Sequence, residues 1–483
     1  MKKKFRYSSY QHTVAYDRFG RSDLFGISYW GFEAETMEGF TKFTGEIAGF
    51  LWGPPMLILL GIVSLYLTIG LRGIQFRKTI YAFKILFKSI RKPSGKKGDI
   101  SPLQALTTAL SATVGTGNIA GVATAIAAGG PGALFWMWIM GVFGMATKFA
   151  EILLSLQYRD TGSDGKMVGG PMYYIERGLG SKKLAVTFAA CGIAASFGPG
   201  NMVQSHSIAI AMKDLFNVPP FITGVVTAIF VSLIILGGIV RIGKVTEKLV
   251  PLMAGLYFLG GITILILNIE KIPGAIYLVI DSAFHPTAAM GGFAGATIRE
   301  ALRFGVARGV FSNEAGLGSA PIAHAAAKTD NPGQQALIGM VGVFIDTLVI
   351  CTITGLAIVV TGMWSSGLNG VELTMRAFDV GLPGSAFGSK IVSIGLILFA
   401  FTTFIGWSYY GLQCVEYLFG LRTALAYRWV FVGLIVVGAQ LKIDLIWNIV
   451  DIVVAIMAIP NLIALLGLSK KIFATAKTDP DLI

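Results

Sequence analysis

Long apolar segments recur along the whole chain, and they constrain the fold more than any other feature. A helix needs about 20 apolar residues to cross a bilayer core about 30 Å thick. Backbone groups in hydrocarbon must also satisfy their own hydrogen bonds, which helices do. We therefore predict an all-α integral membrane protein with 11 transmembrane helices. The predicted spans are 49–71, 102–128, 132–157, 185–212, 220–240, 248–268, 298–326, 335–362, 388–417, 425–441 and 446–468.

The charge content agrees with a membrane protein. Charged residues make up 13% of the 483 residues, against about 25% in a soluble domain. The net charge of +13 would suggest nucleic acid as the partner of a soluble protein. In a membrane protein, basic residues instead set orientation, because they concentrate in cytoplasmic loops. The basic connection 72–97 is therefore predicted to be cytoplasmic, and the lipid bilayer, not nucleic acid, is the predicted partner.

Alternation from that loop places the N-terminus outside and the C-terminus in the cytoplasm. Residues 1–47 contain no apolar core of a signal peptide and are predicted to be an extracytoplasmic extension. The apolar stretch 273–292 contains Asp281, His285 and Pro286, so we predict an interfacial helix there rather than a twelfth span. The predicted organisation is an extension (1–47), an extra helix (48–72), a five-helix repeat (100–270), an interfacial segment (271–296), a second five-helix repeat (297–469) and a tail (470–483).

Two predicted spans contain segments that a helix facing lipid should avoid. The segments Ser111–Asn118 and Phe311–Pro321 combine close glycines with polar residues, and the second adds a glutamate and a proline. Polar side chains are costly at this depth unless they line a cavity. Unwound backbone is tolerated only there. The alternative interpretation is close helix packing through glycine.

The two segments lie five helices apart, so their helices cross the membrane in opposite directions. Broken helices at matching positions of inverted repeats indicate the midplane site of a transporter. A half-helix N-terminus suits a carboxylate. Half-helix carbonyls and hydroxyls suit Na⁺. A zwitterionic amino acid beside Na⁺ satisfies both kinds of helix end.

Five motifs resemble those of the alanine or glycine:cation symporter family, and the matches extend from about residue 50 to 468. The motifs are RGVFSNEAGLGSAPIAHAA (308–326), GTGNIAG (115–121), GGPMYY (169–174), GPGNM (198–202) and FIDT (344–347). The resemblance implies a LeuT-type fold, with a 5+5 inverted-repeat core and one extra N-terminal helix. It implies a symporter, not an enzyme, that imports alanine or glycine with Na⁺ by alternating access across a prokaryotic plasma (inner) membrane.

The resemblance also assigns residues. Its substrate-binding positions match Thr113, Thr116, Gly117, Asn118, Gln204, Phe311, Ser312, Leu317 and Trp407. Its Na⁺ ligands match Ser111, Val114, Phe399, Thr402 and Thr403. For the two threonines, a purely helical role with hydroxyls bonded to the backbone is the alternative.

The buried charges have several interpretations. Asp346 with Asn118 is predicted as a second cation site, and a proton-linked site or a structural pair with Arg308 or Lys148 are the alternatives. Glu314 either serves the transport site or caps the free N–H groups of the second broken helix. Lys148 and Glu151, three residues apart, are predicted to pair on one helix face.

Other functions remain as alternatives to Na⁺-coupled import of alanine or glycine. Coupling to protons and a preference for glutamine belong to the same class. A channel or a membrane-embedded enzyme is a remote alternative, because the sequence contains no HExxH motif, no paired-aspartate dyad and no Ser/His constellation.

Overall fold

The computed structural model of the protein describes residues 27–91, 97–285, 297–384, 387–441 and 444–483. Residue contacts divide the chain into two units, 1–43 and 44–483. The described part of the first unit is the beginning of helix α1 (Ile27–Leu51), and the features discussed below belong to the second unit.

The second unit is almost entirely helical. Its helices are α2 (Pro54–Gly70), α3 (Ile74–Arg77), α4 (Thr79–Arg91), α5 (Pro102–Thr113), α6 (Val122–Gly129), α7 (Gly132–Gln157), α8 (Pro171–Arg177), α9 (Lys182–Phe197), α10 (Val203–Phe216), α11 (Pro220–Ile235), α12 (Gly238–Leu267), α13 (Ile272–Phe284), α14 (Ile298–Asn313), α15 (Ala320–Ala325), α16 (Pro332–Val343), α17 (Thr352–Val360), α18 (Gly370–Gly381), α19 (Phe387–Phe419), α20 (Leu421–Gly438), α21 (Asp444–Gly467) and α22 (Ser469–Thr478). Wider π-helical turns occupy Gly117–Gly121, Gly198–Met202 and Phe344–Cys351, and 3₁₀ turns occupy Ile269–Lys271 and Met363–Ser365. Two short antiparallel strands, β1 (Asp160–Thr161) and β2 (Met167–Val168), form a hairpin.

The apolar helices confirm a multi-pass membrane protein. In the described part of the chain, 8 helices are long and apolar enough to cross a bilayer, or 9 if the bent pair Pro102–Thr113 and Gly117–Gly129 is one span. These correspond to nine of the predicted segments. The remaining two differ because α11 has only 16 residues and the segment 298–326 is divided into α14 and α15.

The ends of two predicted segments also differ from expectation. The first span begins at Gly39, inside the predicted extension, and residues 1–26 of that extension lie outside the described residues. The predicted interfacial helix corresponds to α13, which has 13 residues and ends at Phe284, and 286–296 lie outside the described residues.

Two helices organise the centre of the bundle. Helix α7 packs against α14 and α16, and α19 packs against α5, α9, α10 and α12. Glycines permit the closest approach of α19 to α5, where a Cβ on Gly406 would lie 2.7 Å from the Cβ of Ala112. The two broken helices are therefore held between α7 and α19.

The first broken helix loses its regular hydrogen bonding between α5 and α6. Helix α5 begins with a capping box, in which Ser101 and Gln104 exchange side-chain and backbone hydrogen bonds. Its last residue is Thr113, and Val114 after it is extended. The helical segments Pro102–Thr113 and Gly117–Gly129 are bent by 53° relative to each other. The amide of Gly115 donates to the Asn118 side-chain oxygen over 2.9 Å, which satisfies one N–H group that the break leaves free.

The second broken helix loses its hydrogen bonding between α14 and α15. Glu314 ends α14 in the left-handed region at φ 56°, and Gly316 and Gly318 follow at φ 92° and 80°. Left-handed backbone favours glycine because other residues clash through their Cβ. The sequence prediction of breaks in both helices is confirmed.

One end of the two broken helices is closed by main-chain hydrogen bonds. The Asp99 amide donates to Ala326 over 2.8 Å, and the Lys328 amide donates to Ile100 over 2.7 Å. Arg159 then joins these strand-like segments, because its guanidinium donates to the carbonyls of four residues from both. These acceptors are Lys97, Ala325, Ala327 and Thr329, at 3.4, 3.3, 2.8 and 2.8 Å.

The C-terminal tail after α22 is anchored at the same region. The Tyr81 hydroxyl donates to one Asp481 carboxylate oxygen over 2.5 Å, and Asn331 and Gln334 donate to the other over 2.8 and 2.7 Å. The hydrogen bond from Tyr81 lowers the pKa of the Asp481 carboxyl. The tail thereby links α4 to the start of α16.

Candidate functional site

A small buried cavity lies between the two breaks, and we call it the central cavity. Its volume of about 30 Å³ is room for one or two water molecules. A larger ligand therefore requires the surrounding side chains to move. The lining residues are Ala112, Thr113, Gly115, Thr116, Gly117, Pro199, Gln204, Phe311, Glu314, Leu317, Thr403, Trp407 and Val454.

Seven of the nine predicted substrate residues line this cavity. They are Thr113, Thr116, Gly117, Gln204, Phe311, Leu317 and Trp407. The cavity thus combines the first break, the second break, the turn before α10, and α19. Ala112, Pro199 and Val454 were not predicted, and Val454 lies on α21 with no sequence signal that distinguishes it from other apolar residues of that helix.

Gln204 connects the turn before α10 to the first break. Its amide nitrogen donates to the Thr116 hydroxyl over 3.2 Å and to the Pro199 carbonyl over 2.9 Å. Its oxygen is buried and has no hydrogen-bond partner among the described residues. A buried acceptor without a donor costs about 1–3 kcal/mol. A ligand with an N–H or O–H group in the central cavity would remove that cost.

The other two predicted substrate residues, Asn118 and Ser312, are directed to Asp346 instead of the cavity. Asn118 donates its side-chain nitrogen to one carboxylate oxygen over 2.7 Å. Ser312 and Thr347 donate their hydroxyls to the other, over 2.8 and 2.9 Å. The Cys351 sulfur lies 3.3 Å from the Asn118 nitrogen. Both breaks and the π-helical turn Phe344–Cys351 therefore meet at one buried carboxylate.

Of the interpretations of Asp346, the geometry agrees with its predicted grouping with Asn118. A structural pair with Arg308 is wrong, because Arg308 lies 3.6 Å from Asp451 of α21. Sequence reasoning could not predict this contact, because the two residues lie far apart in the chain. A cation or proton at Asp346 stays a prediction.

The predicted Na⁺ ligands lie where α19 touches the first break. A Cβ on Gly115, directly after Val114, would lie 2.7 Å from the Thr403 hydroxyl. The Thr402 and Thr403 hydroxyls both donate to the Phe399 carbonyl, over 3.0 and 2.8 Å. This is the hydrogen bonding of the helical alternative, but a hydroxyl that donates keeps lone pairs for a cation.

Ser111 and Thr402 of the predicted Na⁺ set are also buried. Ser111 is fully buried and donates its hydroxyl to the Thr108 carbonyl over 2.8 Å. Thr402 also contacts the Met253 sulfur at 3.1 Å. The set therefore consists of buried oxygen atoms at a helix–helix contact, and Thr403 also lines the central cavity.

Glu151 of α7 supports the second break. One of its carboxylate oxygens accepts from the amides of Gly316 and Gly318, over 3.0 and 3.2 Å, and from the Asn461 side chain over 2.6 Å. Lys148 lies 3.9 Å from the other oxygen and donates to the Glu314 carbonyl over 2.8 Å. The predicted Lys148–Glu151 pair is confirmed.

The cap interpretation of Glu314 is therefore wrong. Its carboxylate accepts a hydrogen bond from the Ser319 hydroxyl, while Glu151 and Asn313 accept from the free amides of the break. Sequence reasoning missed Glu151 in this role because the partners are 165 and 167 residues away.

Phe311 separates the central cavity from two larger ones. The first has a volume of about 170 Å³ and contains the Arg308–Asp451 contact. The second has a volume of about 210 Å³ and reaches the first break at Thr116. Phe311 lines all three, and its ring lies 6.0 Å from the Trp447 ring, centre to centre. Phe311 is therefore the residue that all three cavities share.

Known proteins share both the sequence and the fold. A model of the sodium:alanine symporter family matches residues 37–479, which extends beyond the region of predicted resemblance. An uncharacterized transporter of Haemophilus influenzae is 52% identical over 89% of this chain and 94% of its own. The sodium/alanine symporter AgcS of Methanococcus maripaludis is 50% identical over 91% of this chain and 97% of its own.

Structural similarity extends to more distant proteins. The crystal structure of MhsT in complex with L-phenylalanine aligns with a TM-score of 0.54 at 15% identity, over 77% of this chain and 90% of that one. This similarity supports the predicted helical transporter fold. Because the family model covers nearly the whole chain and close relatives align along it, the chain belongs to the sodium:alanine symporter family.

Proposed function

We propose that the protein is a secondary active symporter that imports a small neutral amino acid, alanine or glycine, together with Na⁺. One observation carries this proposal: residues of both helix breaks line the central cavity, and both breaks also meet at the buried Asp346 carboxylate. Free N–H groups of the first break suit a carboxylate. Hydroxyl and carboxylate oxygens suit Na⁺. The activity requires no covalent chemistry, so the protein is not an enzyme.

The proposed architecture has 11 spans in a prokaryotic inner membrane, with the N-terminus outside and the C-terminus in the cytoplasm. Helix α11 counts as one of these spans, and the broken pair α14 and α15 together counts as another, which brings the total to 11. One extra helix precedes inverted repeats at 100–270 and 297–469. In this orientation the Arg159 hydrogen bonds close the cytoplasmic end, and Phe311 faces the outside. Alternating access then requires these two closures to open in turn.

Sodium and substrate are coupled through the first break. Na⁺ at Ser111, Val114, Phe399, Thr402 and Thr403 orders the backbone that receives the substrate carboxylate at Thr116 and Gly117. A second cation binds at Asn118 and Asp346. Each ligand favours the conformation that the other binds, and this free-energy coupling is reciprocal.

Uptake of labelled alanine or glycine into proteoliposomes tests the proposal. We expect accumulation when Na⁺ is imposed outside, because the downhill ion gradient drives the substrate. Uptake that is indifferent to Na⁺ would contradict it. Accumulation driven by a pH gradient in Na⁺-free buffer would instead indicate proton coupling. Competition by unlabelled glutamine at equal potency would indicate the glutamine-preferring alternative, and loss of saturable counterflow would indicate a channel.

The Gly115→Ala variant tests the proposed Na⁺ site near Thr403. The added Cβ would lie 2.7 Å from the Thr403 hydroxyl, and a β-branched side chain has little freedom to move away. We expect the Na⁺ concentration for half-maximal thermal stabilisation to rise about tenfold, which corresponds to roughly 1.4 kcal/mol.

The matched control is Gly121→Ala in the same broken helix. A Cβ on Gly121 would meet no atom within 4 Å, so the Na⁺ response of this variant is expected to equal that of the unmodified protein. An unchanged Na⁺ response of Gly115→Ala would remove Thr403 from the proposed site.

A further inference from the structure

The carboxylate of Glu314 is the negatively charged group of the central cavity, and neither the proposed Na⁺ sites nor the helix break uses it. Glu314 is 2% exposed and lines the cavity. Among the described residues, the Ser319 hydroxyl donates a hydrogen bond to this carboxylate. The free amides of the break are bound by Glu151 and Asn313. Glu314 therefore has capacity for a further donor.

The buried charges around the second break do not balance. Within the described residues, the charged side chains that are buried are Lys148, Glu151, Glu314 and Asp346. This gives three carboxylates and one ammonium group. Lys148 lies beside Glu151 and donates to the main chain of Glu314. Since an isolated buried charge is strongly unfavourable, cationic groups of ligands would stabilise the filled site.

The cavity also has two electrically different sides. On one side, the π-helical turn Gly117–Gly121 begins, and the positive end of a half-helix dipole attracts a carboxylate there. On the other side lies Glu314, the acidic residue of the lining. An α-amino acid carries a carboxylate and an ammonium group on one carbon, so it matches this arrangement, and Asp346 remains for the metal cation.

We propose that Glu314 binds the α-ammonium group of the substrate, which makes it a residue that determines specificity. This inference rests on the proposed function, because it identifies the contact within the same site. It implies that the site selects zwitterions and rejects carboxylates of the same shape that lack the ammonium group, since those would bring a negative charge into the cavity without the positive group that pairs with Glu314.

A comparison of L-alanine with L-lactate tests the contact in the full-length protein. Lactate replaces the ammonium group by a hydroxyl and keeps the carboxylate and methyl group. In Na⁺ buffer, both compounds are titrated against bound labelled alanine in the unmodified protein and in Glu314→Gln. We expect the variant to bind alanine about ten- to hundredfold more weakly, the range of one hydrogen bond to a charged group. Its affinity for lactate should stay equal or increase.

Two further variants keep the test decisive. Ser319→Ala removes the hydrogen bond to the carboxylate but keeps its charge, so the ratio of alanine to lactate affinity is expected to change less than threefold. Glu314→Asp withdraws the carboxylate by one methylene, and we expect weaker alanine binding with lactate unchanged. This variant replaces Glu314→Gln if the latter does not fold.

The outcomes separate the inference from the function on which it rests. Equal weakening of alanine and lactate in Glu314→Gln would show that Glu314 only supports the fold, and this would overturn the contact. Unchanged alanine affinity would overturn it as well. Absence of Na⁺-dependent alanine binding in the unmodified protein would instead refute the proposed function.

Discussion

Replacing Asp346 with asparagine is expected to raise strongly the Na⁺ concentration that transport requires. The variant keeps the size of the side chain but removes the charge that Asn118, Ser312 and Thr347 surround. A hydrogen bond or ion contact to a charged group contributes about 1.5–3 kcal/mol. We therefore expect the Na⁺ concentration for half-maximal alanine uptake to rise by roughly ten- to hundredfold. Initial rates in proteoliposomes across a Na⁺ series measure this effect.

Thermal unfolding in Na⁺-free buffer distinguishes a cation site from a structural role. Asp346 is 0% exposed, and removal of a buried charge that lacks its cation should leave the unfolding temperature unchanged or raise it. The part of the Na⁺ stabilisation that this second site contributes should disappear at the same time, and the part from the site at Thr402 and Thr403 should remain. The control is Asp281→Asn, because Asp281 on α13 is exposed and contacts His285. A variant less stable without Na⁺, with a normal Na⁺ response, would contradict the proposed second cation site.

Replacing Glu151 with leucine is expected to have the largest effect on stability. The carboxylate accepts from two amides of the second break and from Asn461, and it lies beside Lys148. Leucine would leave these donors and a buried ammonium group without their partner. Removal of one partner of a buried ion pair costs about 3–5 kcal/mol. The loss of stability is measured as a lower unfolding temperature in detergent, and the readout is the amount of monodisperse protein that remains at each temperature.

Two companion variants locate the origin of that effect. Glu151→Gln keeps an oxygen that accepts from an amide, so it should be less destabilising than the leucine variant. Combining Glu151→Leu with Lys148→Met removes the unpaired charge, and part of the lost stability should return. If the double variant is as unstable as Glu151→Leu alone, the unpaired ammonium group is not the cause, and the lost support of the break explains the whole effect.

The residues of the site also show how much of the structure the local sequence can predict. Glycines close to polar residues located both breaks correctly, because glycine admits left-handed backbone and polar groups need a cavity in a membrane. The directions of individual side chains were less predictable. Asn118 and Ser312 face Asp346 and not the cavity. In the π-helical turn that contains Asn118, the 3.6-residue period no longer determines which way a side chain points.

The sequence by itself determined the class of the protein, nine of its predicted spans and the positions of its breaks, because hydropathy and backbone preference act over a few neighbouring residues. Only the tertiary structure decided which groups satisfy those breaks. Glu151 reaches Gly316, Arg308 meets Asp451, and Glu314 borders the cavity. Such contacts join helices far apart in the chain, and they depend on how the helices pack rather than on any local pattern.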